Sequence, residues 1–324
     1  MKFYTRAFDK PRRRFIGWVI SMLSFIIGGA FCAAGVAMAD APLRYVHGTA
    51  FLTSLIVFAA NAVVQFPLVF TDRGIGRAFG TASPRFIPLA GALAAVFGAL
   101  PLAGGSVVLA YRAATVLRTA TVPEAIHDHR GMLVTAVLTA LLFLAGAVGL
   151  LLPVFAPRRY PAAEVILHLP LPLGCAVFAL YLYFDKSTPR NATLKLCVSL
   201  AFLLLALLLL LRIRMTVDVP RPRLAAWLAR AALPYTAGLG LTLACVFLTD
   251  KQIFVTPVIP LALLFLSFYL FIAVIRPTVG ITETGPITIV VPRGTTGTDS
   301  RESTADPSDT ADSRGQDCNG AGEE

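Results

Sequence analysis

Charge is what this sequence has least of. Only 14% of its 324 residues are Asp, Glu, Lys or Arg, against 56% apolar residues and a mean hydropathy of +0.75. A soluble domain carries about 25% charge. The chain therefore has too little charge to coat a soluble domain of its size, which excludes a disordered protein, a disulfide-rich secreted domain and most soluble enzymes. An integral membrane protein of several helices remains.

Cysteine is also sparse. Cys32, Cys175, Cys197 and Cys245 sit in apolar runs and Cys318 sits near the C-terminus, none at metal-ligand spacing. They read as small apolar packing residues, not as a disulfide framework.

Catalytic signatures are missing too. No His-Glu pair exists to start an H-E-x-x-H zinc motif, and no apolar run holds a central Asp. Gly104-Gly105-Ser106 is only loosely like a nucleophile turn, and only His168 lies inside an apolar run. A phosphate-binding G-x-x-x-x-G-K is absent, and the glycines Gly74, Gly76 and Gly80 follow no strand, so no dinucleotide fingerprint applies. The balance is against an enzyme, and no catalytic residue or cofactor is assigned.

What is present is length of apolar chain. A spanning helix needs about 20 mostly apolar residues. Eight stretches qualify: 15–39, 49–70, 86–111, 132–156, 163–184, 191–211, 231–249 and 253–275. Runs such as Leu203-Leu204-Leu205 are continuous and lack the period-2 alternation of a membrane barrel strand. The expected fold is therefore all-α, a polytopic bundle of about eight spans over residues 15–276. A basic N-terminus (1–14) precedes it and a tail (277–324) follows.

Lys and Arg in short loops set orientation. With a cytoplasmic N-terminus, seventeen of them fall on the inner side and seven on the outer. Both termini are thus expected inside, as an even number of spans requires, in a cell membrane such as a bacterial inner membrane. The net charge of +10 is on this reading a topology signal with anionic-lipid contact, not a nucleic-acid footprint. Residues 281–324 invert the balance, with three basic and nine acidic residues. From Gly294 onward they hold almost no large apolar side chains, so disorder is expected there. Ile287, Ile289 and Val291 alternate just before it and fit a short strand or an extended linker.

The N-terminus carries two processing-like features. Arg12-Arg13-Arg14 resembles a twin-arginine export signal, and Ala37-Met38-Ala39 fits a signal-peptidase site. The apolar run of about 25 residues exceeds a usual signal h-region, so a retained first span is expected.

Polar groups inside spans are costly and mark functional candidates. Asn61 and Gln65 lie four apart on one face of the second span. They would line a polar path, or else act as interhelical glue. Glu164 and His168 lie four apart at the start of the fifth. Pro170 and Pro172 follow and cannot donate to the carbonyls of Ile166 and His168. Freed carbonyls beside a carboxylate and an imidazole resemble the broken helices where transporters hold ions. Pro101 stands near the centre of a glycine-rich third span and is the other helix-break candidate. Pro234, Pro257 and Pro260 fall near helix starts, where proline is cheaper. Lys195 is read as snorkelling to the headgroups.

Two loops attract attention. The segment 112–131 is the longest outer one, and Thr121, Pro123 and Glu124 fit a capping box there. Its Glu124, His127 and His129 form a weak metal candidate, with a solvated loop as the plainer reading and no metal assigned. On the inner side, residues 215–230 read as an interfacial amphipathic helix, with Arg223 and Arg230 flanking Leu224, Trp227 and Leu228.

Three functions are consistent with this. The leading expectation is a small-solute or ion permease without an ATPase domain, with Glu164, His168, Asn61 and Gln65 along its path. The alternative is a non-catalytic membrane subunit that binds a protein partner through basic inner loops and tail. The third is a membrane-embedded enzyme with an unfamiliar site. The lipid bilayer is the one partner expected in every case, and nucleic acid in none.

Overall fold

The computed structural model describes residues 5–38, 48–72, 89–119, 123–155, 161–186, 192–216, 222–248 and 258–279. Among them every regular element is a helix and there is no strand. In chain order these are α1 (Thr5–Ala37), α2 (Thr49–Phe70), α3 (Leu89–Thr119), α4 (Pro123–Phe155), α5 (Pro161–His168), α6 (Pro170–Phe184), α7 (Thr193–Thr216), α8 (Pro222–Leu248) and α9 (Val258–Val279).

Six segments are long and apolar enough to cross a membrane: Phe15–Ala37, Thr49–Phe70, Ala92–Thr119, His129–Leu152, Val165–Phe184 and Thr193–Arg214. They coincide with the first six spans expected from the sequence. The chain is thus a multi-pass helical membrane protein. Helices α8 and α9 occupy the positions of the last two expected spans, and α9 carries a shorter apolar stretch, Leu261–Phe271. The strand or linker expectation at 281–291 and the acidic tail lie outside the described residues.

The outward faces of the helices are apolar, as a bilayer solvent requires. Ile26, Val63, Val107 and Leu141 are each more than 60% exposed on the backs of their helices. A water-soluble protein rarely presents contiguous apolar surface of that kind. Lipid tails are as apolar as these side chains, so burying them in the bundle would gain little.

Close backbone approach is made by glycine. Gly29 of α1 faces Gly238 of α8, and Gly35 of α1 lies against the backbone of Phe51 on α2. At Gly149 of α4 a Cβ would collide with the carbonyl oxygen of Leu167. Small residues at such crossings let dispersion contacts act over the whole helix length.

The neighbour relations define the architecture. Helix α8 packs on α9, α9 on α3, α3 on α4, α4 on α6, α6 on α7 and α7 back on α8, which closes a ring. Helices α1 and α2 pair with one another and lie against α8, outside that ring. The short α5 fits between α4, α6 and α7. The end of the bundle where α1 starts is called proximal below, and the end where α1 finishes distal.

Several expectations need correction. The segment 112–131 is helical on both sides of residues 120–122, so it is not mainly a solvated loop, and the start of a helix at Pro123 agrees with the capping signals there. Helix α3 runs to Thr119 and α4 starts at Pro123. At 31 residues, α3 is roughly 46 Å long by the rise of an α-helix. It therefore overshoots an apolar core of about 30 Å. Residues 222–230 are not a separate interfacial helix either. They are the first turns of α8, with Ala225, Leu228 and Ala229 in the buried core. Pro234 consequently sits inside α8 and not at its start. Pro101 lies within α3, which passes it without interruption.

Candidate functional site: two polar clusters at opposite ends of the bundle

The proximal cluster joins α1, α2 and α8. It begins with a proline. Pro234 has no N–H, so the carbonyl of Arg230, four residues earlier, loses its helical donor. In a membrane interior that carbonyl must be satisfied by another group. Asn61 Nδ2 donates to it at 2.9 Å and Ser21 Oγ at 3.1 Å. Gln65 Nε2 donates to the Gly17 carbonyl at 2.6 Å and to Ser21 Oγ at 3.1 Å. The two amides predicted to share a face do share it, and both are fully enclosed. Their N–H groups serve backbone carbonyls and a hydroxyl.

Arg230 itself is the residue the sequence reading misplaced. It counts there as an inner-loop charge, but the side chain is 1% exposed. Its guanidinium lies over the Trp18 ring, 5.1 Å from the centroid, a cation–π arrangement. The missing side chain of Gly17 makes room, since a Cβ there would meet Arg230 Nη1. Nearby, Trp227 Nε1 donates to the Ala62 carbonyl at 3.0 Å. The available signal was Arg230 standing four residues before an intrahelical proline.

The distal cluster joins α3, α6 and α7. Arg112 Nη1 donates to Tyr181 Oη at 2.7 Å and lies 3.8 Å from Asp185 Oδ2. Lys195 Nζ donates to the backbone carbonyl of Asp185 at 2.6 Å. That carbonyl sits just beyond the end of α6, where a cation is favoured by the helix dipole. Lys195 is only 3% exposed. It does not snorkel, because Asp185 supplies a partner inside the bundle. Tyr181 in the last turn of α6 and Asp185 just beyond it, four residues apart, were a signal legible in the sequence and not used there.

These contacts cross the ring. Helices α3 and α6 are not adjacent in the ring order, yet Arg112 reaches Tyr181. Further along, Phe178 of α6 lies 5.8 Å from Phe143 of α4 and 4.6 Å from Phe202 of α7, centroid to centroid. Tyr181 stacks on Phe178 at 5.7 Å. All four rings are buried. Towards the proximal end, Arg212 of α7 lies over Tyr269 of α9 at 4.6 Å. Thr139 of α4, one turn from Phe143, is 0% exposed, and its hydroxyl has no hydrogen-bond partner among the described residues.

The other predicted residues separate from these clusters. Pro170 and Pro172 do not open the helix: Leu169, between α5 and α6, keeps helical dihedrals of −62° and −38° and its N–H donates to the Val165 carbonyl at 3.0 Å. His168 ends α5 and is half-buried. Glu164 lies one turn before it, and its side chain is outside the described residues, as are those of Glu124 and His127. His129 starts a spanning segment and is half-buried. Among the described residues no group of three His, Cys, Asp or Glu side chains gathers for a metal ion.

No family model, no curated protein and no solved structure matches the chain.

Proposed function

We propose that the protein is an eight-span permease-like carrier of a small solute, with both termini cytoplasmic. It would reside in a plasma membrane of the bacterial type. The path follows the interior of the six-helix ring and not the Asn61–Gln65 face. One observation carries this reading: Arg112, Asp185 and Lys195 meet inside one end of the ring, directly beyond stacked aromatic side chains. Ionisable groups within a spanning bundle cost several kcal/mol and mark solute paths by default. Phe143, Phe178 and Phe202 then form the constriction of the resting state. The Glu164–His168 helix is a second polar element along the same ring, since α5 touches α4, α6 and α7.

A second reading is a non-catalytic membrane subunit that holds a protein partner through its inner loops and tail. It is favoured by the proximal cluster, where Asn61, Gln65 and Ser21 spend their hydrogens on backbone acceptors. Such groups tie helices together and need no solute.

The discriminating experiment uses the native cysteines. Cys175 is 0% exposed and stands three residues before Phe178, on the face of α6 that enters the ring. Cys32, 2% exposed, is also buried, on α1 outside the ring. Each is retained alone in an otherwise cysteine-free, reconstituted protein and treated with a membrane-impermeant methanethiosulfonate. Labelling of Cys175 much faster than Cys32 is expected of a carrier that opens. Equal inertness of both thiols from either side refutes the path and leaves the subunit reading.

A further inference from the structure

We infer that the distal cluster is an oxyanion-binding site in which Arg112 holds the anion. The inference rests on the carrier reading for its biological meaning, but the binding itself is independent of transport.

Three observations carry it. The first is the geometry of the guanidinium. Among the described residues both of its contacts, to Tyr181 Oη and Asp185 Oδ2, use Nη1. A guanidinium has five N–H donors in a rigid fork that matches carboxylate or phosphate oxygens two at a time. Tyr181 and Asp185 thus orient the fork from one side and leave its Nε and Nη2 edge for a ligand. The Arg112 side chain is 20% exposed while Tyr181 beneath it is 1% exposed, so the cation is reachable and its support is not.

The second observation is the balance of charge. At the distal end Arg112 and Lys195 gather around Asp185, two cations to one carboxylate. Low-dielectric walls with an excess of one sign concentrate the opposite charge. The third is the aromatic support of the site. Tyr181 under the cation stacks on Phe178 at 5.7 Å, and Phe178 in turn packs on Phe143 and Phe202 deeper in the bundle. The Thr139 hydroxyl is a buried polar group one turn from Phe143. The ligand class is therefore a monoanion with a carboxylate or phosphate head and a compact apolar body.

The test pairs two probes of the same shape and opposite charge, sodium benzoate and benzylammonium chloride. The full chain in detergent is titrated with each at constant ionic strength, and thermal stability and heat of binding are read. Saturable binding of benzoate at millimolar concentration is expected, with none for benzylammonium. Arg112→Gln should weaken benzoate at least tenfold, Arg112→Lys by less, and Arg212→Gln hardly at all. Tyr181→Phe keeps the charge but releases the fork, and a threefold weakening is expected even if Arg112→Gln fails to fold. Equal binding of both probes, or benzoate affinity unchanged in Tyr181→Phe and Arg112→Gln, overturns the inference, as does the absence of benzoate binding.

A lipid headgroup and a free solute offer the same oxyanion chemistry. Reconstitution in phosphatidylglycerol vesicles against phosphatidylcholine separates them. Competition with benzoate only in the former supports the headgroup, and equal binding in both supports the solute. Benzoate binding with an inert Cys175 would retain the anion site and remove the path. A reactive Cys175 without benzoate binding would do the reverse.

Discussion

Replacing Asn61 with Leu tests the physical account of the proximal cluster. Asn61 Nδ2 donates to the Arg230 carbonyl at 2.9 Å, and Pro234 denies that carbonyl its helical donor. Interhelical hydrogen bonds in membranes average about 0.6 kcal/mol and reach about 1.7. The upper part of that range applies here, because Ser21 Oγ alone would remain at 3.1 Å, and it is shared with the Gly17 carbonyl. Asn61→Leu is therefore expected to cost about 1–1.5 kcal/mol.

The decisive step is a double-mutant cycle with Pro234→Ala. Alanine restores the N–H that Arg230 O lacks, so the amide of Asn61 becomes largely redundant. In that background Asn61→Leu should cost about 0.5 kcal/mol, a coupling of ~0.5–1 kcal/mol, within the span seen for residues in one hydrogen-bond network. Reversible unfolding in mixed detergent micelles gives the four free energies. Intrinsic fluorescence is a local reporter, since Trp18 lies under Arg230 and Trp227 bonds to Ala62 on α2. Additivity within ~0.3 kcal/mol, the usual result for independent sites, would refute the proposed link between the proline and the amide.

Other outcomes follow from the same contacts. Lys195→Met should cost about 1.5–3 kcal/mol, the scale of a hydrogen bond to a charged group, whereas a snorkelling lysine would tolerate Met; the same unfolding assay decides. Gly149→Val should lose about 1–3 kcal/mol through overpacking against the Leu167 carbonyl, read as a lower melting temperature and reduced monodisperse yield. Phe202→Ala should speed modification of Cys175 by removing one ring of the Phe143–Phe178–Phe202 constriction, while Cys32 is unchanged; a Cys175 rate equal to that of the parent would show that these rings do not close the path.

Much of the helical skeleton was legible because the bilayer imposes a length. Any run of about 20 apolar residues satisfies that constraint locally, so six spans could be placed before any contact was known. Asn61 and Gln65 were likewise legible as a shared face, from helical spacing alone. Their partners were not. Nothing in one dimension says that the carbonyl freed by Pro234 lies opposite Asn61, six helices earlier in the chain.

Arg112, Lys195 and Arg230 show the limit most clearly. Hydropathy assigns a charged residue at the edge of an apolar run to a loop or a headgroup, because an isolated charge in hydrocarbon is too costly. Inside the bundle each has company: Arg112 has Tyr181 and Asp185, Lys195 the Asp185 carbonyl, and Arg230 the face of Trp18. Composition and apolar length by themselves determined that this is an all-α chain built for a bilayer. The tertiary structure decided which polar groups are enclosed and where they meet, because the cost of burying a charge depends on partners that residues far apart in sequence supply.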